Sequence, residues 1–385
     1  MQIIPVASGK GGVGKSLLSA NLAISLGKAG KKVVLADLDL GASNLHLVIG
    51  QQAPKQGLGT FLTGQGSFKD IIAPTQYQNV SFIAGDSEIP EMTALKAAQK
   101  RALLKNFQSC DADYLILDLG AGTHQIILDL FLLSPQGIVV TAPTVTATLN
   151  GYLFLKNAVF RLMNNTFGKT SKAAKYLARL KKDSNAMQRL YIPKLIQEIQ
   201  SVDPDNAALF LRRVQQFRPR LILNMIDDPK DADRAQKIRR SCLQYLGIDL
   251  EHLGVMYRDN LQDKALASRL PVTVYKPQSV LSQAIFRIAE KIIQSETLYW
   301  DDSYELSGDD YVDGSDSFAL AQEEAQDDFE MKMQTISDLV GTGALTAGEL
   351  AETIRVQQYE LNQLKKENNL LKSKLIKAAS MGYKV

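Results

Sequence analysis

The sequence is poor in cysteine, with only Cys110 and Cys242 in 385 residues. They form no C-x-x-C pair, so an iron–sulfur or zinc site is not expected, and nothing points to a disulfide. No apolar run approaches the roughly eighteen residues that a membrane-spanning helix needs. No basic leader with a cleavage site precedes the first apolar stretch. A cytoplasmic protein is the simplest expectation. Basic residues are missing altogether from Glu296 to Glu330, a stretch with thirteen Asp/Glu. Such a composition fits a disordered acidic linker, placed here at 296–335. No internal repeat is visible.

What is present is ordinary for a globular chain: 45% apolar and 22% charged residues. The net charge of +3 hides an uneven spread. From Arg161 to Arg220 there are thirteen Lys/Arg against four Asp/Glu. Segregation of this kind marks appendages on a neutral core. A basic surface of that strength fits nucleic acid. A solvated helix face or a protein-docking site fits it as well.

Apolar runs alternate with helical patterns through the first three hundred residues. Ile3–Ala7, Lys32–Asp37, Val80–Ala84, Tyr114–Leu117, Gly137–Thr141, Arg220–Asn224 and Leu253–Met256 read as short buried strands. Helices are expected near Ser16–Ala29 and Thr146–Leu162. Near-continuous Val/Ile/Leu strands separated by helices predict a doubly wound, mostly parallel α/β sheet. Residues 163–216 exceed what a crossover needs and read as an inserted helical segment. The expected organisation is a core over 1–295, the linker, and a helical tail over 336–385. In that tail Leu350, Ile354, Leu361, Leu364, Leu371 and Leu375 share a seam with Gln357 and Asn368. This is an a/d stripe of about four heptads, with Asn368 suited to fixing dimer register. The alternatives are an amphipathic helix docking on its own protein, or one lying on a membrane surface through the lysines near Lys377.

Chemistry concentrates in Gly9-Lys10-Gly11-Gly12-Val13-Gly14-Lys15-Ser16, which satisfies G-x-x-x-x-G-K-[ST] between a strand and a helix. Glycines let backbone N–H groups turn inward around phosphate oxygens. Lys15 would reach the β/γ-phosphates of ATP and Ser16 would ligate Mg²⁺, while Leu17 continues the nucleotide-binding run into the helix. The helix start turns its positive dipole end to the same anion. Lys10 cannot easily reach the same phosphates alongside Lys15. Its reading is a reach across a dimer interface, where it would stabilise charge on a partner's nucleotide. Asp37 and Asp39 end a strand on one side of the pleat, where α/β sheets place ligand sites. A carboxylate there suits a water proton near the γ-phosphate, and a solvated strand-end Asp is the bland alternative. Asp118 closes the run Tyr114–Leu117 and suits a Mg²⁺ shell.

These motifs resemble the deviant Walker A ATPases of the MinD/ParA family. The resemblance rests on Lys10-Gly-Gly-Val-Gly-Lys15-Ser16, on Asp37-Leu-Asp39-Leu-Gly-Ala-Ser-Asn44 and on Asp118-Leu-Gly120-Ala-Gly122. It covers roughly 1–160 and 218–295. It implies a Mg²⁺-dependent ATPase that dimerises around two ATP molecules, hydrolyses them slowly and positions cellular cargo. Carried over, Lys10 matches the signature lysine, Lys15 the phosphate-binding lysine, Ser16 the Mg²⁺ ligand and Asp39 the residue that orients attacking water. Ser16, Asp39 and Asp118 are then the expected metal shell. Asn224 resembles the asparagine that contacts adenine, a turn residue being the alternative. Gly120 replaces the usual proline and resembles the FlhG/FleN branch, which controls flagellar placement. That branch carries an activation helix ahead of the loop strand. The present sequence opens on the strand, so activation by that route is not expected. Tyr257 stands where the family's base-binding loop has a proline, and either stacks on adenine or packs.

Two functions of different class follow. One is an ATP-dependent dimerisation switch for positioning a flagellum, division site or chromosome, with a protein activator and a membrane surface or DNA as partner. In that case the protein attaches peripherally to the inner face of the cell membrane or stays in the cytoplasm. The other is a nucleotide-stabilised scaffold that recruits partners through its coiled-coil tail. A metal-cluster carrier is disfavoured for want of paired C-terminal cysteines.

Overall fold

Apolar runs that are buried on both faces can only be parallel strands with helices above and below them. The computed structural model describes residues 1–39, 43–85, 97–180, 191–301 and 314–342, with isolated residues beyond. Among these, eight strands form one sheet in the order β3-β4-β2-β5-β1-β6-β7-β8. They are β1 (Gln2–Ala7), β2 (Val33–Leu38), β3 (Ala73–Pro74), β4 (Val80–Ile83), β5 (Tyr114–Leu119), β6 (Ile138–Thr141), β7 (Arg220–Ile226) and β8 (Glu251–Tyr257). Every pairing is parallel except that of the short edge strand β3 with β4. The sheet expected from the sequence is therefore the sheet observed, with the short β3 added.

Pro5 lies in the central strand β1, where a missing N–H normally costs a ladder bond. It is accommodated because β6 pairs only with Val6 and Ala7, so β1 has one neighbour at the proline.

The helices on the first half are α1 (Lys15–Lys28), α2 (Leu45–Val48), α3 (Leu58–Leu62), α4 (Ala97–Gln108) and α5 (Gln125–Phe131). Helix α1 is buried over most of its circumference, because it packs under the sheet and against a late helix. Between β6 and β7 run α6 (Val145–Thr166), α7 (Lys172–Leu180), α8 (Ile192–Val202) and α9 (Pro204–Gln216), so the basic insert is helical where it is described. Thr144 caps α6 by accepting the Ala147 N–H. After β7 come α10 (Asp233–Ser241), a π turn over Cys242–Leu246, α11 (Leu261–Ala267), α12 (Val272–Tyr275) and α13 (Val280–Gln294).

The last described element corrects an expectation. Helix α14 spans Ser315–Gly341, and its part up to 335 lies in what composition marked as a disordered linker. The acidic residues are real, but Phe318, Ala321, Ala325 and Asp328 recur at helical spacing and are buried. Basic side chains of the core receive the acids: Lys291 pairs with Glu324 at 2.8 Å and Arg287 with Asp328 at 2.5 Å. The chain divides into two compact units, Met1–Asp328 and Phe329–Val385. In the second unit Met331, Met333, Ile336, Leu339 and Val340 of α14 are exposed. Of the heptad seam, Leu350, Ile354, Gln357, Leu361, Leu364 and Leu375 lie outside the described residues. Among the described residues no helix is long and apolar enough to cross a membrane.

Candidate functional site

The C-terminal ends of β1, β2, β5 and β7 deliver every singled-out residue to one edge of the sheet, where doubly wound folds place ligands. After β1 the chain turns through Ser8–Gly14 into α1. Gly12 and Gly14 have φ of 78° and 85°, the left-handed region that glycine enters without strain. A Cβ on Gly11 or Gly12 would meet nothing within 4 Å. The middle of the loop is thus an open rim of backbone. Its two ends are pinned. A Cβ on Gly9 would stand 2.0 Å from the Asn150 carbonyl oxygen of α6, and one on Gly14 would stand 2.1 Å from Asn224 Nδ2.

Asp118, at the end of β5, is the electrostatic centre. Its carboxylate accepts Lys15 Nζ at 2.8 Å, Ser16 Oγ at 2.6 Å and Ser19 Oγ at 2.9 Å. Lys15 and Asp118 are both buried, at 8% and 1% side-chain exposure. A buried ion pair persists only where its remaining lone pairs are hydrogen-bonded, and the two serines do that here. Ser19 escaped the sequence reading. The available signal was its place one turn after Lys15, on the same helix face. Val13 is buried and Leu17 packs against the core, so the loop's apolar side chains point inward.

The β2 end supplies two carboxylates in different settings. Asp37 is buried and accepts Ser43 Oγ at 2.8 Å, the Leu45 N–H at 3.1 Å and the Asp39 N–H at 3.1 Å. Burial pushes its carboxyl up to about 6, with the nearby Asp118 charge adding and the three donors opposing. Asp39 is only half-buried, and its carboxylate stands against Gly120. A Cβ on Gly120 would come 3.4 Å from Asp39 Oδ1. Asp37 thus ties down the backbone that presents Asp39. Leu40–Ala42 of this motif lie outside the described residues.

Asn224 is buried at the end of β7. Its Nδ2 donates to the Val13 carbonyl at 2.8 Å, and its Oδ1 accepts the Met225 N–H at 2.8 Å. It braces the glycine loop, a role that the sequence did not suggest. Tyr257 packs: it is 2% exposed, and its hydroxyl donates to the Ala325 carbonyl of α14 at 2.8 Å. Lys10 stands apart. It is exposed, and its ammonium donates to Thr146 Oγ1 on α6 at 3.4 Å rather than joining the Lys15–Asp118 cluster.

A parallel sheet whose central strand runs through a glycine loop into a helix, with a lysine, a serine and a strand-end aspartate converging there, defines a P-loop NTPase. Comparisons with known proteins agree. Residues 1–152 match the ParA family model, described as NUBPL iron-transfer P-loop NTPase. The antiactivator FleN of Pseudomonas aeruginosa is 24% identical over 295 residues, covering 76% of this chain and 86% of that protein. The flagellum site-determining protein YlxH of Helicobacter pylori is 34% identical over 157 residues, 40% of this chain and 53% of the relative. The septum site-determining protein MinD of the same organism is 33% identical over 147 residues, 38% of this chain and 54% of the relative. The chain therefore spans about half the length of the latter two. The fold matches MinD of Pyrococcus horikoshii complexed with Mg-ADP, with a TM-score of 0.51 and 23% identity, over 76% of this chain and 96% of that one. Over residues 1–152 the chain is thus similar to ParA-family P-loop NTPases, and among its relatives are flagellum- and septum-site-determining proteins.

Proposed function

We propose that this protein is an ATP-dependent dimerisation switch that hydrolyses ATP slowly to control where a cellular structure is placed. The observation that carries the reading is the setting of Lys10. It lies beside the first turn of α6, and α6 presents Val145, Leu149 and Leu153 at 70%, 55% and 37% exposure. Spaced four residues apart, they form one apolar stripe beside the glycine loop. A partner close enough to receive Lys10 must cover that stripe, which gives it a reason to be there. In a two-fold pair each copy offers the same face to the other.

The residues fit Mg-ATP. The open backbone at Gly11 and Gly12, the left-handed Gly12 and Gly14, and the start of α1 suit a polyphosphate. Gly9 to Leu17 would hold the nucleotide, with Lys15 on the β/γ-phosphates and Asn224 towards the base. Ser16, Asp39 and Asp118 would hold the cation. Bound Mg-ATP supplies the transferable phosphoryl group and a divalent charge that draws its oxygens together. Asp39, presented by Asp37 against Gly120, orients a water proton. Lys10 places its charge on the partner's nucleotide. The tail from 336 is read as a coiled coil that keeps two copies near one another, and a protein activator with a membrane or DNA surface completes the system. Relatives named for flagellum and septum placement support the positioning role. A nucleotide-stabilised scaffold would show the same nucleotide binding but no turnover under any addition.

The test is disulfide capture across the stripe. Leu149→Cys in an Asp39→Ala background should crosslink to a second copy with Mg-ATP and not without it. Equal yields in the two conditions would refute the switch, whatever the tail does.

A further inference from the structure

The edge strand β8 would present an unpaired ladder, and α14 covers it. The His252 N–H of that strand donates to Ser317 Oγ at 3.0 Å, and the His252 ring stacks on Phe318 with centroids 4.9 Å apart. Ala321 and Ala325, on the inner face of α14, are fully buried. Glu324 meets Lys291 of α13, and Asp328 meets Arg287. This seat is imperfect. Both His252 ring nitrogens, Arg287 Nε and Asp328 Oδ1 are buried without a hydrogen-bond partner. Unpartnered buried groups make docking of the helix weaker than its contact area suggests. The first half of α14 is therefore the sort of element that leaves its seat without unfolding the sheet.

The seat is joined to the glycine loop by an unbroken series of contacts. Asn224 holds the Val13 carbonyl. The next residue, Met225, has a φ of 60°, and the β7–β8 register shifts between Asn224 and Ile226. This bulge pairs Ile226 with Tyr257, and Ile226 also accepts the Arg258 N–H at 3.0 Å. Arg258 meets Asp227 at 3.2 Å. Tyr257 then reaches out of the sheet to the Ala325 carbonyl of α14. One end of the bulge touches the nucleotide loop, and the other holds the helix that leads into the C-terminal unit.

We propose that the first half of α14 is a clasp governed by nucleotide: filling the glycine loop fixes the Asn224–Ile226 bulge and, through Tyr257, tightens α14 on β8. This rests on the nucleotide site proposed above. Coupling is reciprocal, so loosening α14 must weaken nucleotide binding by the same factor.

The experiment is amide hydrogen exchange over 315–328 in the full chain, with and without Mg-AMPPNP. Binding of a fluorescent ATP analogue is measured on the same samples. Saturating nucleotide should slow exchange there by about tenfold, a typical coupling factor. In Tyr257→Phe that response should shrink to under about threefold. Glu324→Lys with Asp328→Lys, which undocks α14 through like charges on α13, should weaken analogue binding by about the same tenfold. Slowed exchange in the parent, lost in Tyr257→Phe, supports the clasp. Unchanged exchange in the parent while the analogue binds normally overturns the clasp and leaves the nucleotide site standing. Absence of analogue binding overturns both.

Discussion

Two buried charge clusters in this protein are built to opposite standards. At the glycine-loop end Asp118 accepts three donors, and no buried side-chain polar atom of Lys15, Ser16, Ser19 or Asp118 lacks a hydrogen bond. At the β8 edge the seat of α14 contains four buried atoms without a hydrogen bond: both ring nitrogens of His252, Arg287 Nε, which has only Glu324 at 4.0 Å, and Asp328 Oδ1. The first arrangement holds a fixed geometry, which phosphate chemistry needs, since positioning and preset charge do most of the work there. The second tolerates loss, which suits an element that comes and goes. The glycine-loop cluster keeps its buried charge fully paired, and the α14 seat does not.

The largest effect should come from distorting the glycine loop that carries Lys15 and Ser16 into the satisfied cluster. Gly14→Ala places a Cβ on Asn224 at a φ of 85°. It should reduce nucleotide affinity by about a hundredfold, as strain and a lost brace of ~3 kcal/mol together imply. Titration of a fluorescent nucleotide measures it, and affinity within a few fold of the parent would mean that Asn224 does not brace the loop.

The unsatisfied seat should respond to pH. Burial drives the His252 imidazole down to about 3, from 6.5, with Lys291 adding to the effect. A histidine kept neutral in the fold gives full stability above the unfolded value of 6.5 and loses it as pH falls towards 3. Between those limits the loss is about 1.4 kcal/mol per pH unit. His252→Phe should flatten this part of the stability curve in urea unfolding at pH 7, 6 and 5. An unchanged slope would show that the histidine is not the source.

Smaller effects separate the two regions further. Tyr257→Phe removes one neutral hydrogen bond to α14 and should cost about 1 kcal/mol of stability, read from the unfolding midpoint. Ser19→Ala leaves Asp118 with Lys15 and Ser16. It should cost no more than about 1 kcal/mol, with a nucleotide affinity change of only a few fold.

The sheet and the loop were legible in the sequence because their physics is local. Apolar runs such as Tyr114–Leu117 announce a buried strand, and glycine spacing announces a phosphate loop. Asp118 could be read because it closes such a run. What the sequence did not reveal depends on contacts far apart in the chain. Asn224 and Val13 are separated by 211 positions, and no periodicity marks their meeting. Helix α14 was hidden for a different reason. Its charge dominated the composition, while the apolar stripe Phe318, Ala321 and Ala325 is only one residue wide. The bases that receive its acids, Arg287 and Lys291, belong to another helix.

The central claim is that the glycine loop is half of a site, completed by the partner's Lys10. Mixing two inactive variants tests it most directly. Lys10→Ala keeps an intact site but cannot assist a partner, and Asp39→Ala keeps Lys10 but cannot hydrolyse. Mixed equally, half of the pairs combine one of each, and one site in each such pair is complete. The account predicts recovery of about a quarter of the parent ATPase rate. Activity equal to the sum of the two variants measured alone would contradict it.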